Sequence, residues 1–158
     1  MNDVHTTEQR SRNMSAIRHQ NTKPELLIRS ELHKRGFRFR IHRKDLPGKP
    51  DMVLPKYNAA IFVNGCFWHG HECALFHWPK TREDFWRKKI SGNVVRDSKN
   101  SGALLAKGYR VLTVWECVIK GKYKLHVNEL ADRIADWIRS DSTHDEIPGS
   151  KDEAQYQI

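Results

Sequence analysis

Every cysteine of this 158-residue chain falls into one candidate ligand set: Cys66, His71, Cys73 and, far downstream, Cys117. Zinc takes four ligands at tetrahedral angles, and thiolate with imidazole is the usual structural combination. A metal held here would knot a short loop to a distant segment and so restrict every fold open to the chain. The odd cysteine count, 3, argues against a disulfide framework and for thiolates on metal. In the plainer reading Cys117 is a small buried residue of the apolar stretch Val114-Trp115-Glu116-Cys117-Val118, and the other two cysteines are incidental. That leaves the loop around Cys66 little means of holding its shape, and structural zinc is the stronger reading. Spacing leaves both His69 and His71 eligible as the fourth ligand; His71 is favoured, which frees His69 for chemistry.

The length suits one domain with a real core rather than two. With 28 Lys and Arg against 19 Asp and Glu, a net charge of +9 and a pI near 9.6, the chain favours a polyanionic partner, DNA or RNA before membrane. No apolar run approaches the ~18 residues of a membrane span. Met1-Asn2-Asp3-Val4-His5 lacks the basic-then-apolar order of a secretory signal. A cytoplasmic protein without membrane contact is expected.

Residues 7–19 carry Met14, Ile17, Arg10, Arg12 and Arg18 and read as a short basic helix or arm. Thr22 and Glu25 are spaced as a capping box with Pro24 in the first turn, and Leu26, Leu27, Ile28 and Leu32 supply an apolar face before Gly36. That pattern predicts a helix over 23–35. Phe37, Phe39 and Ile41 then alternate with basic residues, as in a half-buried strand, and residues 51–54 and 59–63 read as an antiparallel hairpin. Thr81 with Asp84 predicts a helix to about Ile90, and 93–107 a second one stopped by Gly108. Residues 109–115 read as a strand and 127–139 as a helix. This order implies a mixed α/β sheet with helices on both faces. The expected organisation is an N-terminal helical DNA-contacting arm over 1–21, a single domain over 22–140 and a polar, disordered tail over 141–158.

Gly48-Lys49-Pro50-Asp51, a hairpin and then Asn64 form an order similar to that of metal-dependent nucleases, where an aspartate at a strand start and a group at the next strand's end hold a hard divalent cation. Alone, Asp51 reads equally as a turn aspartate capping backbone amides, Glu25 as the capping-box acid and Asp97 as an exposed helix residue. The succession of an acid on the first helix, an acid at the hairpin, a histidine just beyond and another acid on a helix favours the nuclease.

Several ordered blocks strengthen that reading: Arg12-Asn13-Met14-Ser15-Ala16-Ile17, Gly48-Lys49-Pro50-Asp51, Val63-Asn64-Gly65-Cys66-Phe67-Trp68-His69-Gly70-His71, Lys80-Thr81-Arg82-Glu83-Asp84-Phe85-Trp86, Asn93-Val94-Val95-Arg96-Asp97 and Val111-Leu112-Thr113-Val114-Trp115-Glu116-Cys117. Over residues 8–140 the chain resembles the very short patch mismatch-repair (Vsr) endonucleases. The resemblance implies a restriction-endonuclease-like fold with a structural zinc. It also implies magnesium-dependent nicking of duplex DNA 5′ of the thymine in a T·G mismatch left by deamination of 5-methylcytosine.

Carried over by position, Asp51 becomes the direct magnesium ligand with the main-chain carbonyl of Val63, and His69 the general acid or base. Glu25 and Asp97 become residues that orient water around the cation. Asn64 stands where a histidine can occur in the family. Phe67, Trp68 and Trp86 become wedges beside the mismatch, approached from the other groove by Met14 and Ile17. The alternative is that these aromatics are core residues; adjacent Phe67 and Trp68 do not both fit one core easily, while for Trp86 both readings stand. The resemblance further implies a monomer in the bacterial nucleoid, coupled to a mismatch-repair ATPase and a repair DNA polymerase. The competing functions are a zinc-stabilised DNA-binding module without catalysis and a restriction-type endonuclease cutting both strands.

Overall fold

The computed structural model describes residues 21–148, so the arm with Met14 and Ile17 and the final residues of the tail lie outside the described residues. Helix α1, Lys23–Lys34, is capped by Thr22, whose hydroxyl accepts from the Glu25 amide at 3.4 Å. Glu25 answers by accepting from the Asn21 amide, 3.2 Å away. The capping box is therefore closed one residue earlier than the usual reciprocal pair. Gly36, at φ +87°, ends the helix: its amide donates to His33 O at 3.0 Å and the Phe37 amide to Leu32 O at 3.1 Å, the paired closure of a Schellman motif.

Of the four apolar residues expected on one face of α1, Ile28 and Leu32 are buried while Leu26 and Leu27 point outward. Consecutive helical residues are rotated by about 100°, so a contiguous triplet does not share a face. Phe37 and Phe39 join the core as the alternation predicts, but the ladder forms only at β1, Arg40–Ile41, and Ile41 is exposed.

Strands β2, Met52–Leu54, and β3, Ala59–Asn64, make the expected antiparallel hairpin, Met52 opposite Ile61. A 3₁₀ turn over Pro55–Tyr57 and a left-handed Asn58 join them. Strand β4, Arg110–Trp115, runs parallel to β3. Strand β5, His144–Ile147, runs parallel to β4 at the far edge of a five-stranded sheet ordered β1-β2-β3-β4-β5.

The tail expected to be disordered from 141 therefore begins with a strand. Its polar composition misleads because β5 is an edge: only Ile147 of its side chains is buried, and backbone pairing with β4 supplies the order. Arg110 anchors the approach by donating to the carbonyls of Trp137 and Ile138, at the end of the preceding helix, and of Ser142.

The two helices expected over 81–90 and 93–107 are one, α2, Glu83–Ala106. Its cap is Arg82 in a left-handed conformation, with no side-chain bond, so Thr81 does not serve. Gly92 does not break it, because an isolated glycine costs a helix only about 1 kcal/mol; the next residue, Asn93, is tied to the carbonyl of Trp68 at 2.9 Å. Helix α3, Val127–Arg139, buries Leu130, Ile134 and Ile138.

The period-two alternation of the strands builds helix-covered cores on both faces. Met52, Leu54, Ile61, Leu112 and Val114 pack against α1 and α3. Val53, Ala60 and Val111 pack with Leu46 and with Leu104 of α2. The expected mixed α/β sheet, with helices on both faces, is what forms.

Candidate active site and metal centre

Parallel pairing of β3 with β4 sets Asn64 opposite Trp115. Two residues past each strand end stand Cys66 and Cys117, the latter in a 3₁₀ turn over Glu116–Val118, so the register itself brings the distant thiols together. The chain after Cys66 coils tightly: the His69 amide donates to Gly65 O at 3.3 Å and the His71 amide to Cys66 O at 2.9 Å. That coil returns His71, and then Cys73, to the thiols. The metal-binding atoms of Cys66, His71, Cys73 and Cys117 all lie within 4.8 Å of one another. Cys117 Sγ and His71 Nδ1 are 3.7 Å apart, and the His71 ring lies flat on Trp115, 4.3 Å between centroids and 9° between planes.

Hydrogen bonding with Cys117, together with burial, pushes the Cys66 thiol well above its ordinary range, and burial pushes Cys73 up as well. Crowded thiols that resist ionising are relieved by a cation that replaces their protons. His71 rather than His69 joins this cluster.

His69 turns the other way. Its Nδ1 lies 2.5 Å from Oδ2 of Asp97 on α2. Asp97 thus holds the His69 ring, and it does so from a helix that the same loop also binds through Asn93.

Asp51 lies immediately before β2, and its Oδ2 accepts from the Val63 amide at 2.6 Å. Burial pushes the Asp51 carboxyl up to about 7, against the Val63 amide and with the neighbouring Glu25 charge adding to the rise. Glu25 is itself buried on α1, and its carboxylate, the His42 ring and the Asp51 carboxyl gather within 4.8 Å. The hairpin and the first helix thus bring Asp51, Val63 and Glu25 together, while Asn64 closes β3 beside them.

The aromatics form a surface cluster rather than part of either core. Phe67, Trp68 and Trp86 contact one another edge-on with centroids 5.3–5.8 Å apart, and Trp68 is 38% exposed. Phe76 and Trp78 extend the cluster.

Sequence reasoning missed Arg29 and His42. Arg29 stands one helical turn from Glu25, a spacing at which acid and base pair, so its signal was available. His42 leaves β1 in a left-handed conformation, φ +52°, which no local pattern announces.

A family model described as DNA mismatch endonuclease Vsr matches residues 2–75. The chain is 45% identical over 138 residues to the DNA mismatch endonuclease Vsr of Escherichia coli K12, covering 87% of this chain and 88% of that protein. It is 50% identical over 117 residues to the type II nicking enzyme V.XorIIP of Xanthomonas oryzae pv. oryzae, covering 74% of this chain and 86% of that one. To the type II nicking enzyme V.NmeAIP of Neisseria meningitidis it is 45% identical over 138 residues, covering 86% and 99% respectively. At 45% identity over most of both chains, this chain belongs to the Vsr family of DNA mismatch endonucleases.

Proposed function

We propose that this protein nicks duplex DNA on the 5′ side of the thymine in a T·G mismatch, with magnesium at Asp51, structural zinc in the cysteine cluster and a restriction-endonuclease-like sheet as the frame. One observation carries the reading. Around the end of β3 and the loop that follows it stand the Asp51 carboxylate, an imidazole held by a second carboxylate and an aromatic cluster with an exposed Trp68.

The residues fit both metals. Zinc bonds of about 2.3 Å to sulfur and about 2.0 Å to nitrogen at tetrahedral angles set neighbouring ligands about 3.5–3.8 Å apart, the separation of Cys117 Sγ and His71 Nδ1. Magnesium prefers oxygen, which Asp51 and the Val63 carbonyl would offer, and the burial that raises the Asp51 carboxyl is offset by a cation. Magnesium held there supplies Lewis-acid stabilisation of the charge developing on the scissile phosphate.

The chain's own residues do the rest. Asp97 takes His69 Nδ1, which leaves Nε2 to move a proton at the phosphodiester. Glu25 meets its partners among the described residues through Oε2, and Oε1 would orient water. Phe67, Trp68 and Trp86 wedge beside the weakly held T·G pair. Unstacking a step costs on the order of a few kcal/mol, and stacking on an aromatic returns about 1–3 kcal/mol per base.

The test is nicking of a labelled duplex with a central T·G pair, against a matched T·A control. Wild type should nick only the mismatched duplex, 5′ of the thymine and only with magnesium. Asp51→Ala should abolish the nick. Trp68→Ala should keep fold and zinc content but lose discrimination between the duplexes. Cutting of both strands in both duplexes would establish the restriction-type reading instead, and binding without cleavage the non-catalytic one.

A further inference from the structure

A buried cation already stands inside this site. Arg29 and Glu25 face each other on α1 with side chains 12% and 1% exposed. Arg29 Nη2 lies 2.7 Å from Glu25 Oε2 and 3.0 Å from His42 Nε2, and Nη1 lies 2.9 Å from Asn21 Oδ1. His42 Nε2 and the Asn21 amide reach the same Oε2 at 3.1 and 3.2 Å. Two fixed donors, the Arg29 guanidinium and the Asn21 amide, thus converge on one oxygen of a single carboxylate with the His42 ring beside it, the arrangement of a carboxylate already neutralised within the protein.

The arrangement is held from both sides. Arg29 is fixed by the helical spacing, and His42 by a left-handed turn whose amide donates to Asp51 O at 3.4 Å. Because the Glu25, His42 and Asp51 atoms lie within 4.8 Å of one another, the guanidinium is a close neighbour of Asp51 too.

Resting on the proposed cation site at Asp51, we propose that Arg29 is a built-in counter-cation. It cancels Glu25 and leaves the site too weakly anionic to hold a divalent ion tightly until the scissile phosphate of DNA arrives. With Glu25 neutralised inside the protein, Asp51 alone faces the dication. The phosphate then supplies the second negative charge, so each of DNA and cation strengthens the binding of the other by the same factor. Arg29 is a positioning residue here, since it acts through Glu25 and Asp51 rather than on the reacting atoms.

The experiment titrates Mn²⁺ into the zinc-loaded full chain and follows the resonance signal of free Mn²⁺, with and without T·G duplex, in a His69→Ala background that leaves the DNA uncut. Without DNA the ion should bind weakly. The duplex should tighten it at least about tenfold, and a neutral methylphosphonate at the scissile position should remove the gain. Arg29→Met should tighten DNA-free binding by roughly ten- to a hundredfold, the effect of one unit charge a few ångströms away in a partly buried site, and should shrink the gain from DNA. Arg29→Lys, which keeps the charge, should behave as wild type. Arg29→Gln repeats the measurement if the Met variant does not fold.

Unchanged DNA-free affinity in folded Arg29→Met or Arg29→Gln protein overturns the inference. If Asp51→Ala retains DNA-dependent Mn²⁺ binding, the cation lies elsewhere and the proposed metal site falls as well. If Asp51→Ala abolishes binding while the Arg29 variants change nothing, only the counter-cation role is lost.

Discussion

His69 owes its orientation to Asp97, a partner 28 residues away on a different element. The carboxylate accepts from Nδ1 and so selects the tautomer in which Nε2 is able to take a proton. Asp97→Asn preserves size but offers the ring an amide that stabilises either tautomer. We expect single-turnover nicking to slow by about ten- to a hundredfold, less than the roughly hundred- to ten-thousandfold of general acid–base catalysis as a whole because the imidazole itself remains, while T·G duplex affinity stays within twofold or so of wild type. Equal losses in binding and nicking would instead make Asp97 a scaffold for the loop. At this scale the residues proposed to bear the chemistry were legible as types: Asp51, His69, Glu25 and Asp97 were each visible as an acid or a histidine. Their pairing was not, because a side chain's partner depends on which elements pack together.

Among the elements, α2 fixes the loop that carries both the cysteine cluster and His69. Gly70 sits against it at φ +65°, and a Cβ there would lie 2.8 Å from Val94 Cγ2 and 3.0 Å from Ile90 Cγ2. Gly70→Ala therefore combines a strained backbone with overpacking. It should destabilise the protein by about 1–3 kcal/mol, measured by chemical denaturation, and lower zinc retention under chelator challenge.

On the opposite face, Arg35 joins α1 to α3 by bonding Glu31 at 2.9 Å and Asp132 at 3.1 Å. The Arg35 bond holds the Glu31 carboxyl below its ordinary range. A carboxyl lowered by folding contributes stability above its unfolded pKa and loses that contribution as pH falls through its folded value. Glu31→Gln should therefore melt below wild type at neutral pH, and the two melting curves should converge in acid. A gap that persists in acid would show that the contribution is packing rather than charge. The α1 cap, the Schellman ends and α3 were readable because they rest on local patterns. The continuity of α2 was not, because Gly92 and Asn93 are weak helix formers and the loop carbonyl of Trp68 that Asn93 meets lies in a segment no local pattern places beside it.

For the molecule as a whole, the closing strand is the informative case. Truncation after Ser140 removes β5 and with it the Trp115 indole's bond to Glu146 at 3.3 Å and the cover that Ile147 gives the core. The shortened protein should melt several degrees lower, since about 1 kcal/mol moves a domain of this size by roughly 2–8 °C, and should keep the zinc proposed for the cysteine cluster. An unchanged melting temperature would make β5 dispensable.

What the sequence determined by itself was whatever local periodicity and residue chemistry encode: the ends of α1 and α3, the β2–β3 hairpin, the alternation that splits the core across two faces, and a ligand set whose thiols and imidazole suit one metal. The tertiary structure alone decided which distant groups meet. The β3–β4 register sets Cys66 beside Cys117, the packing of α2 gives His69 its carboxylate, and the left-handed turn after β1 adds His42 to Glu25 and Asp51. The physical reason is that backbone pairing and packing act between segments with no sequence relation to each other. A strand such as His144–Ile147, with only one buried side chain, has no signature until its neighbour is in place.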